Sequence, residues 1–285
     1  LDWFEPKRRA SAMGIKQTGV PLGGLLASVV AAVVVVVSWR LVLWTIAGAT
    51  VVLGVVWWRW AKLPGDRLGG GLATVVADIR TVTFNSGVAA MNFAGVGFNA
   101  VQQSMITYLT LFLRDVAAVS QPLASFCLGM SQLTGTAGRI VWSVASDRVT
   151  DGRRKGVLVL MMSGAAVACL AAATVSDGWP VVALVALAGV MGATILAYAP
   201  MLHTVCAEAV EPRLAGAAIG SNLLATSVGG TIGPLVFGAI IDATESYTAA
   251  WVLGALVVLT GVLCTAVGHK EKSQADKGAM RNCHD

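Results

Sequence analysis

Eight stretches of this chain contain no Asp, Glu, Lys or Arg: about 17–39, 41–58, 81–113, 116–138, 156–176, 178–207, 214–241 and 246–268. Each is about 18 to 33 residues long, and short polar connectors separate them. An α-helix rises about 1.5 Å per residue, so about 20 apolar residues cross a hydrocarbon layer of about 30 Å. A soluble core within 285 residues has no need of such a set, and a composition that is 56% hydrophobic and only 12% charged agrees. The pattern predicts an all-α polytopic membrane protein with eight transmembrane helices. Barrel strands would show about ten residues of alternating polarity, which these uninterrupted runs lack. A helix in lipid satisfies its own backbone hydrogen bonds, whereas an open strand cannot.

The net charge of +5 is distributed rather than clustered as a nucleic-acid footprint. Lys7, Arg8, Arg9 and Lys16 precede the first stretch, and Arg59, Lys62, Arg67 and Arg80 lie between the second and third. Arg148, Arg153, Arg154 and Lys155 follow the fourth, Arg213 the sixth, and Lys270, Lys272, Lys277 and Arg281 the last. The alternate loops hold only Arg40 and Arg114. Short cytoplasmic loops retain Lys and Arg, so both ends of the chain are expected in the cytoplasm and the spans in the plasma (inner) membrane. Trp39, Trp57, Trp58, Trp60 and Trp179 at span ends suit the headgroup region.

The five cysteines are dispersed without CxxC spacing, which predicts buried thiols and neither a disulfide framework nor a metal site. The chain begins at Leu1 rather than Met, so the natural start is expected upstream; the basic start ahead of an apolar run imitates a signal peptide, but seven further spans argue against one. Pro64, Gly65 and Gly69–Gly71 mark residues 61–80 as a cytoplasmic linker. The expected division is 1–60 with two helices, the linker at 61–80, 81–268 with six helices, and a disordered cytoplasmic tail at 269–285.

Two local patterns go beyond hydropathy. Arg8–Gly24 reads RRASAMGIKQTGVPLGG, a basic segment entering a helix rich in small residues, and a looser version recurs at Arg213–Gly238. Ser143–Lys155 reads SVASDRVTDGRRK and joins two spans on the basic side. It resembles the GxxxDxxGRRK motif between helices 8 and 9 of the major facilitator superfamily, with Asp147, Gly152, Arg153, Arg154 and Lys155 at matching positions. Ser143 stands at the leading Gly, and two more residues separate Asp from Gly. In that register the chain is similar to helices 5–12 of a twelve-helix transporter, a partial major facilitator fold without helices 1–4. Gly19, Gly23 and Gly24 resemble the GPxxGG motif of antiporters, with Pro21 one position removed. The resemblance implies two six-helix halves around a cavity near the bilayer midplane. It also implies a gating role for Asp147, with Arg153 and Arg154, set against the start of helix 5 around Ala12–Gly14. Simple capping of the loop by Asp147 with either arginine is the alternative.

In the third stretch, Asn92, Asn99, Gln103 and Thr110 fall within roughly 20° of one line at about 100° per residue. Amides facing lipid are costly, so this face lines a wet cavity or hydrogen-bonds a neighbouring helix. The next stretch carries Ser125, Gln132, Thr136, Arg139 and Ser143 as a comparable stripe. Arg139 lies eight residues before Asp147, about 12 Å along a helix, and a guanidinium that deep needs a partner, water or a ligand. Its fork suits a carboxylate or phosphate; snorkelling or a structural pairing near Asp147 is the other reading. Thr194 and Tyr198 share a face of the sixth stretch, with His203 beyond them read as a structural histidine. Asn92, Asn99, Gln103, Gln132, Arg139 and Tyr198 are therefore the candidate solute contacts.

These features point to a secondary transporter that moves a small solute, an organic anion or acidic metabolite, by alternating access. A multidrug/proton antiporter, a non-transporting fragment, or a sensor or scaffold on the same fold are the alternatives. Protons are a candidate coupling ion. With no mid-span Asp or Glu, a coupling carboxylate is expected in helices 1–4. No phosphate-binding loop, metal cluster or nucleophile–base pattern suggests an enzyme, and no cofactor is expected.

Overall fold

The structure is a computed structural model that describes residues 8–34, 38–60, 72–148 and 154–268. Its described residues form helices α1 (Arg9–Gln17), α2 (Gly19–Val34), α3 (Trp39–Trp60), α4 (Leu72–Thr83), α5 (Ser86–Ala117) and α6 (Gln121–Arg148). After these come α7 (Arg154–Ala173), α8 (Val181–Met191), α9 (Ala199–Glu208), α10 (Ala215–Thr244) and α11 (Tyr247–Gly268). A π turn, Gly192–Leu196, joins α8 towards α9, and a short 3₁₀ turn, Pro212–Leu214, precedes α10.

Among the described residues, five helical segments are long and apolar enough to cross a membrane: Trp39–Trp60, Arg154–Ala173, Val181–Glu208, Pro212–Thr244 and Tyr247–Val267. α5 and α6, at 32 and 28 residues, have the length but are diluted by Asn, Gln, Ser, Thr and Gly. Those residues mostly meet other helices, so polarity that lowers the mean hydropathy is hidden within the protein.

Three boundaries differ from the sequence expectation. The basic segment before the first stretch is itself helical: α1 ends at Gln17 and α2 restarts at Gly19 across Thr18, whose N–H bonds the Ile15 carbonyl. Residues 72–80, expected within the linker, belong to α4. Val76, Ile79 and Val82 recur at helical spacing there, and Val82 is buried. α4 is held to α10 by a Thr83–Ser221 hydroxyl contact of 2.8 Å, and its Asp78 meets Arg213 at 3.6 Å. The third stretch begins as a span only at Ser86, because the Asn85 side chain caps α5 by accepting from the N–H groups of Gly87 and Val88. Residues 61–71, the tail at 269–285 and Arg153 lie outside the described residues.

The core sits among α5, α7, α9 and α11, where Phe98, Phe112, Met91, Met105, Met161, Met162 and Trp251 are fully buried or nearly so. α5 and α10 run against each other through glycines. A Cβ on Gly229 would strike the Val96 carbonyl, and one on Gly233 would lie 2.5 Å from Ala100 backbone atoms. In lipid, where apolar burial gives no driving force between helices, such close backbone approach is a main source of association energy. At the other edge, α2 touches α6 and α3 buries no side chain at all. α3 exposes Trp44, Trp57, Trp58 and Trp60, a face suited to lipid or further helices.

Candidate functional site

The buried charged side chains among the described residues, Arg139, Asp147 and Arg154, gather where α1 meets α6 and α9. α1 approaches α6 closely because Gly14 has no side chain: a Cβ there would lie 2.6 Å from Ser143 Oγ and 2.7 Å from the Arg139 carbonyl. That approach brings the N-terminal turn of α1 onto Asp147. The Asp147 carboxylate, 4% exposed, accepts at Oδ2 from both the backbone N–H and the hydroxyl of Ser11, each at 2.7 Å. The free N–H groups and positive dipole end of a helix favour a carboxylate there. The contact falls at Ser11, one residue before the expected segment.

The second oxygen of Asp147 accepts from Arg154 Nη1 at 2.7 Å. Arg154 opens α7, is 3% exposed, and donates in parallel from Nε and Nη2 to the two oxygens of Glu208, both at 2.9 Å. Such a two-pronged pair between planar groups is the strongest geometry available to an arginine. The result is one buried line of charge, Glu208 to Arg154 to Asp147 to the α1 N-terminus. Glu208 and Ser11 were not singled out from the sequence. Glu208 did leave a signal, since it is the residue that ends the sixth charge-free stretch.

Two turns deeper on α6, Arg139 is 3% exposed, and two of its donors are engaged. Nε donates to the Leu196 carbonyl at 2.9 Å and Nη1 to the Gln17 carbonyl at 2.5 Å. Both carbonyls sit at helix breaks, the π turn and the α1–α2 junction, where the regular i→i−4 ladder is interrupted. Trp142 supplies a third such donor, from Nε1 to the Ala193 carbonyl at 2.8 Å. α6 can reach the π turn because Gly135, Gly138 and Gly192 leave no side chains between the two backbones. Gln17 also places its Nε2 2.7 Å from His203 Nδ1, so α1 is tied to α6 and α9 through one residue.

The amide stripe on α5 lies elsewhere and faces α10. Asn92 donates to Ser221 Oγ at 3.0 Å and accepts from Asn222 Nδ2 at 3.0 Å, while Asn99 donates to the Thr226 carbonyl at 2.8 Å. Gln103 is half-buried beside Gly230 without a side-chain hydrogen bond among the described residues. Gln132 is half-buried, its amide about 3.5 Å from where a Cβ on Gly24 of α2 would be. Tyr198 is buried, its ring centroid 4.9 Å from that of Phe98, at the junction of the π turn and α9. The structure thus brings Arg139, Asp147 and Arg154 to the α1 contact, with Tyr198 adjoining it through the π turn. It sets Asn92 and Asn99 into a helix seam. No cluster of His, Cys, Asp and Glu able to hold a metal occurs among the described residues.

The sequence profile described as the Major Facilitator Superfamily matches residues 1–151 and 118–281. The chain is 25% identical over 286 aligned residues to a hexuronate transporter of Bacillus subtilis (strain 168), covering 92% of this chain and 65% of that protein. It is 26% identical to an uncharacterized transporter of the same superfamily from Mycobacterium tuberculosis (strain CDC 1551 / Oshkosh), covering 91% of this chain and 57% of that one. It therefore spans about three-fifths of the length of these curated relatives. The E. coli fucose:proton symporter shares the fold, with a TM-score of 0.69 at 16% identity over 94% of this chain and 71% of that one. A structure of that symporter in the outward conformation gives a TM-score of 0.69 at 15% identity, over 93% of this chain and 69% of that one. The chain belongs to the Major Facilitator Superfamily, as an all-α, membrane-embedded member with a partial superfamily fold.

Proposed function

We propose that this chain serves a secondary transporter that moves a small organic anion or acidic metabolite by alternating access. In this reading its eight hydrophobic stretches correspond to helices 5–12, with α1 and α2 together forming helix 5 and α3 helix 6. The Asp147 end faces the cytoplasm. The single observation that carries the reading is where the bonds between α1 and the following six-helix half fall. Ser11 to Asp147, Gln17 to Arg139 and Gln17 to His203 all cluster at one end of the bundle. A joint made of a few directional bonds at one end can break as a unit while both packed halves stay intact, which is what rocking of two halves requires.

Arg139 supports the anionic substrate class. Closed, its Nε and Nη1 are on the Leu196 and Gln17 carbonyls. Withdrawal of α1 removes the Gln17 carbonyl and leaves a buried guanidinium edge short of an acceptor, which a carboxylate fits. A hexuronate is such an acid, and the Bacillus subtilis relative named for it shares 25% of aligned residues. The test is uptake of a radiolabelled hexuronate by cells expressing the protein. Arg139→Ala is expected to abolish saturable uptake of the acid at unchanged membrane expression. Wild-type saturation kinetics in that variant would refute Arg139 as the anion contact.

A further inference from the structure

Among the described residues His203 is the one imidazole, it lies in the α1 joint, and neither the Asp147 line nor the Arg139 fork uses it. It sits on α9, 5% exposed, with Nδ1 2.7 Å from Gln17 Nε2. An amide nitrogen only donates, so His203 Nδ1 accepts, and the ring proton resides on Nε2. The ring is neutral while this bond stands. A second proton would occupy the same lone pair that receives Gln17, turning an acceptor into a donor aimed at a donor.

The charges around the ring work the same way. Lys16 of α1 and Arg139 of α6, on two helices packed against α9, are both positive. On α9 itself the nearest carboxylate is Glu208, which is paired with Arg154 of α7, and Arg154 also holds Asp147 of α6. Tyr198 and Cys206 are the other titratable side chains on or beside α9; beyond its end, Glu211 is exposed and Arg213 meets Asp78 of α4. α5 and α10 also pack on α9, and their charged residues, Arg114, Asp115 and Asp242, lie in their last turns. Among the described residues, the carboxylates next to this joint, Asp147 and Glu208, are thus already paired with Arg154.

We propose that His203 is a proton-binding site coupled to opening of the α1 joint: it is neutral while Gln17 is docked and takes a proton from the water that enters when α1 withdraws. The proposal rests on the alternating-access reading above. The proton comes from hydronium in that water, which leaves as a water molecule, and it binds the Nδ1 lone pair freed when the Gln17 hydrogen bond parts together with the Ser11 and Arg139 bonds of the joint. By linkage, a proton that binds only the open form favours opening, and opening strengthens proton binding by the same factor. Acid opens the joint; alkali closes it.

The experiment places a genetically encoded spin label at each of Ile15 on α1 and Glu211 beyond α9, both exposed, and reads their distance distribution in nanodiscs between about pH 5 and pH 8, where an imidazole titrates. In the wild-type chain the open-to-closed ratio is expected to rise by up to about tenfold per pH unit as pH falls across the responsive window. His203→Gln, which keeps an acceptor for Gln17, is expected to flatten the response. Gln17→Glu is expected to reverse it, since the new carboxylate accepts from a protonated ring and acid then closes the joint. A flat wild-type profile, or an unchanged slope in His203→Gln, overturns the proposal. So does solute transport by a wild-type protein whose label distance ignores pH. A pH-dependent distance in a protein that moves no solute supports the proton site and refutes the transport reading instead.

Discussion

Replacing Asp147 by Asn removes one charge from the line that ends on α1, and under the proposed withdrawal of α1 its bonds divide into those that part and those that stay. Asp147, Arg154 and Glu208 lie on α6, α7 and α9, all within the same half, so their mutual bonds survive when α1 withdraws. Only the two bonds from Ser11, each 2.7 Å, and the field at the α1 N-terminus differ between closed and open forms. Hydrogen bonds to a charged group contribute about 1.5–3 kcal/mol against about 0.5–1.5 kcal/mol for neutral pairs, so each Ser11 bond loses about 1 kcal/mol. The helix terminus adds about 0.3–1 kcal/mol. Arg154 keeps its two-pronged bond to Glu208, which avoids the penalty of about 3–5 kcal/mol for an orphaned buried charge. The sum, about 2–3 kcal/mol, shifts the closed-to-open ratio by about 30- to 160-fold at about 1.36 kcal/mol per tenfold. The spin-label pair at Ile15 and Glu211 reads that ratio directly. Ser11→Ala, which keeps the backbone N–H but deletes the hydroxyl bond to the carboxylate, is the companion variant, at about 1.5–3 kcal/mol or about 13- to 160-fold. Membrane insertion is expected to be unchanged and turnover slowed. A shift below about fivefold for Asp147→Asn would refute the view that Asp147 holds α1 through its charge.

Gly14→Val is expected to open the joint more strongly than Asp147→Asn, because the nearest atoms to its Cβ include the Arg139 carbonyl at 2.7 Å, backbone that cannot rotate away; the same labels check it. Asn92→Ala is expected to lower thermal stability by about 0.6–1.7 kcal/mol, the range for interhelical hydrogen bonds in membranes, while leaving solute KM unchanged. Gln103→Ala, whose side chain bonds nothing among the described residues, is expected to do the reverse, and transport kinetics beside a thermal melt separate the two. Trp142→Phe leaves the Ala193 carbonyl without its 2.8 Å donor, and a loss of about 1 kcal/mol in the melt is expected.

Much of this architecture is legible in the residue order. Asp, Glu, Lys and Arg are excluded from the bilayer interior, so their spacing marks the hydrophobic stretches before any packing is considered. Asp147 at the start of α1 was legible through the SDRVTDGRRK segment, and the contact falls one residue from its expected position. The breaks were not legible. Residues 178–207 read as one apolar run, yet the helix is interrupted by a π turn, because Gly192 admits α6 backbone to a distance no side chain would allow, and Arg139 and Trp142 supply the displaced donors. Donors for those carbonyls come from about 50 to 57 residues away in sequence, and no local propensity encodes them.

The polar side chains divide along the same line. Period alone put Asn92, Asn99 and Gln103 on one face of α5, but a face has no partner until a second helix is placed beside it. Only the tertiary structure decided that the first two are spent on α10. Glu208 likewise stood in the sequence as the end of a span, and only the folding of α7 against α9 made it the second carboxylate of a buried arginine. The sequence by itself determined which residues enter the membrane, since transfer into hydrocarbon is a property of each side chain. Pairing among the polar residues that enter was left to tertiary structure, since hydrogen bonds and charge pairs need two groups within about 3 Å and the chain brings them together only on packing.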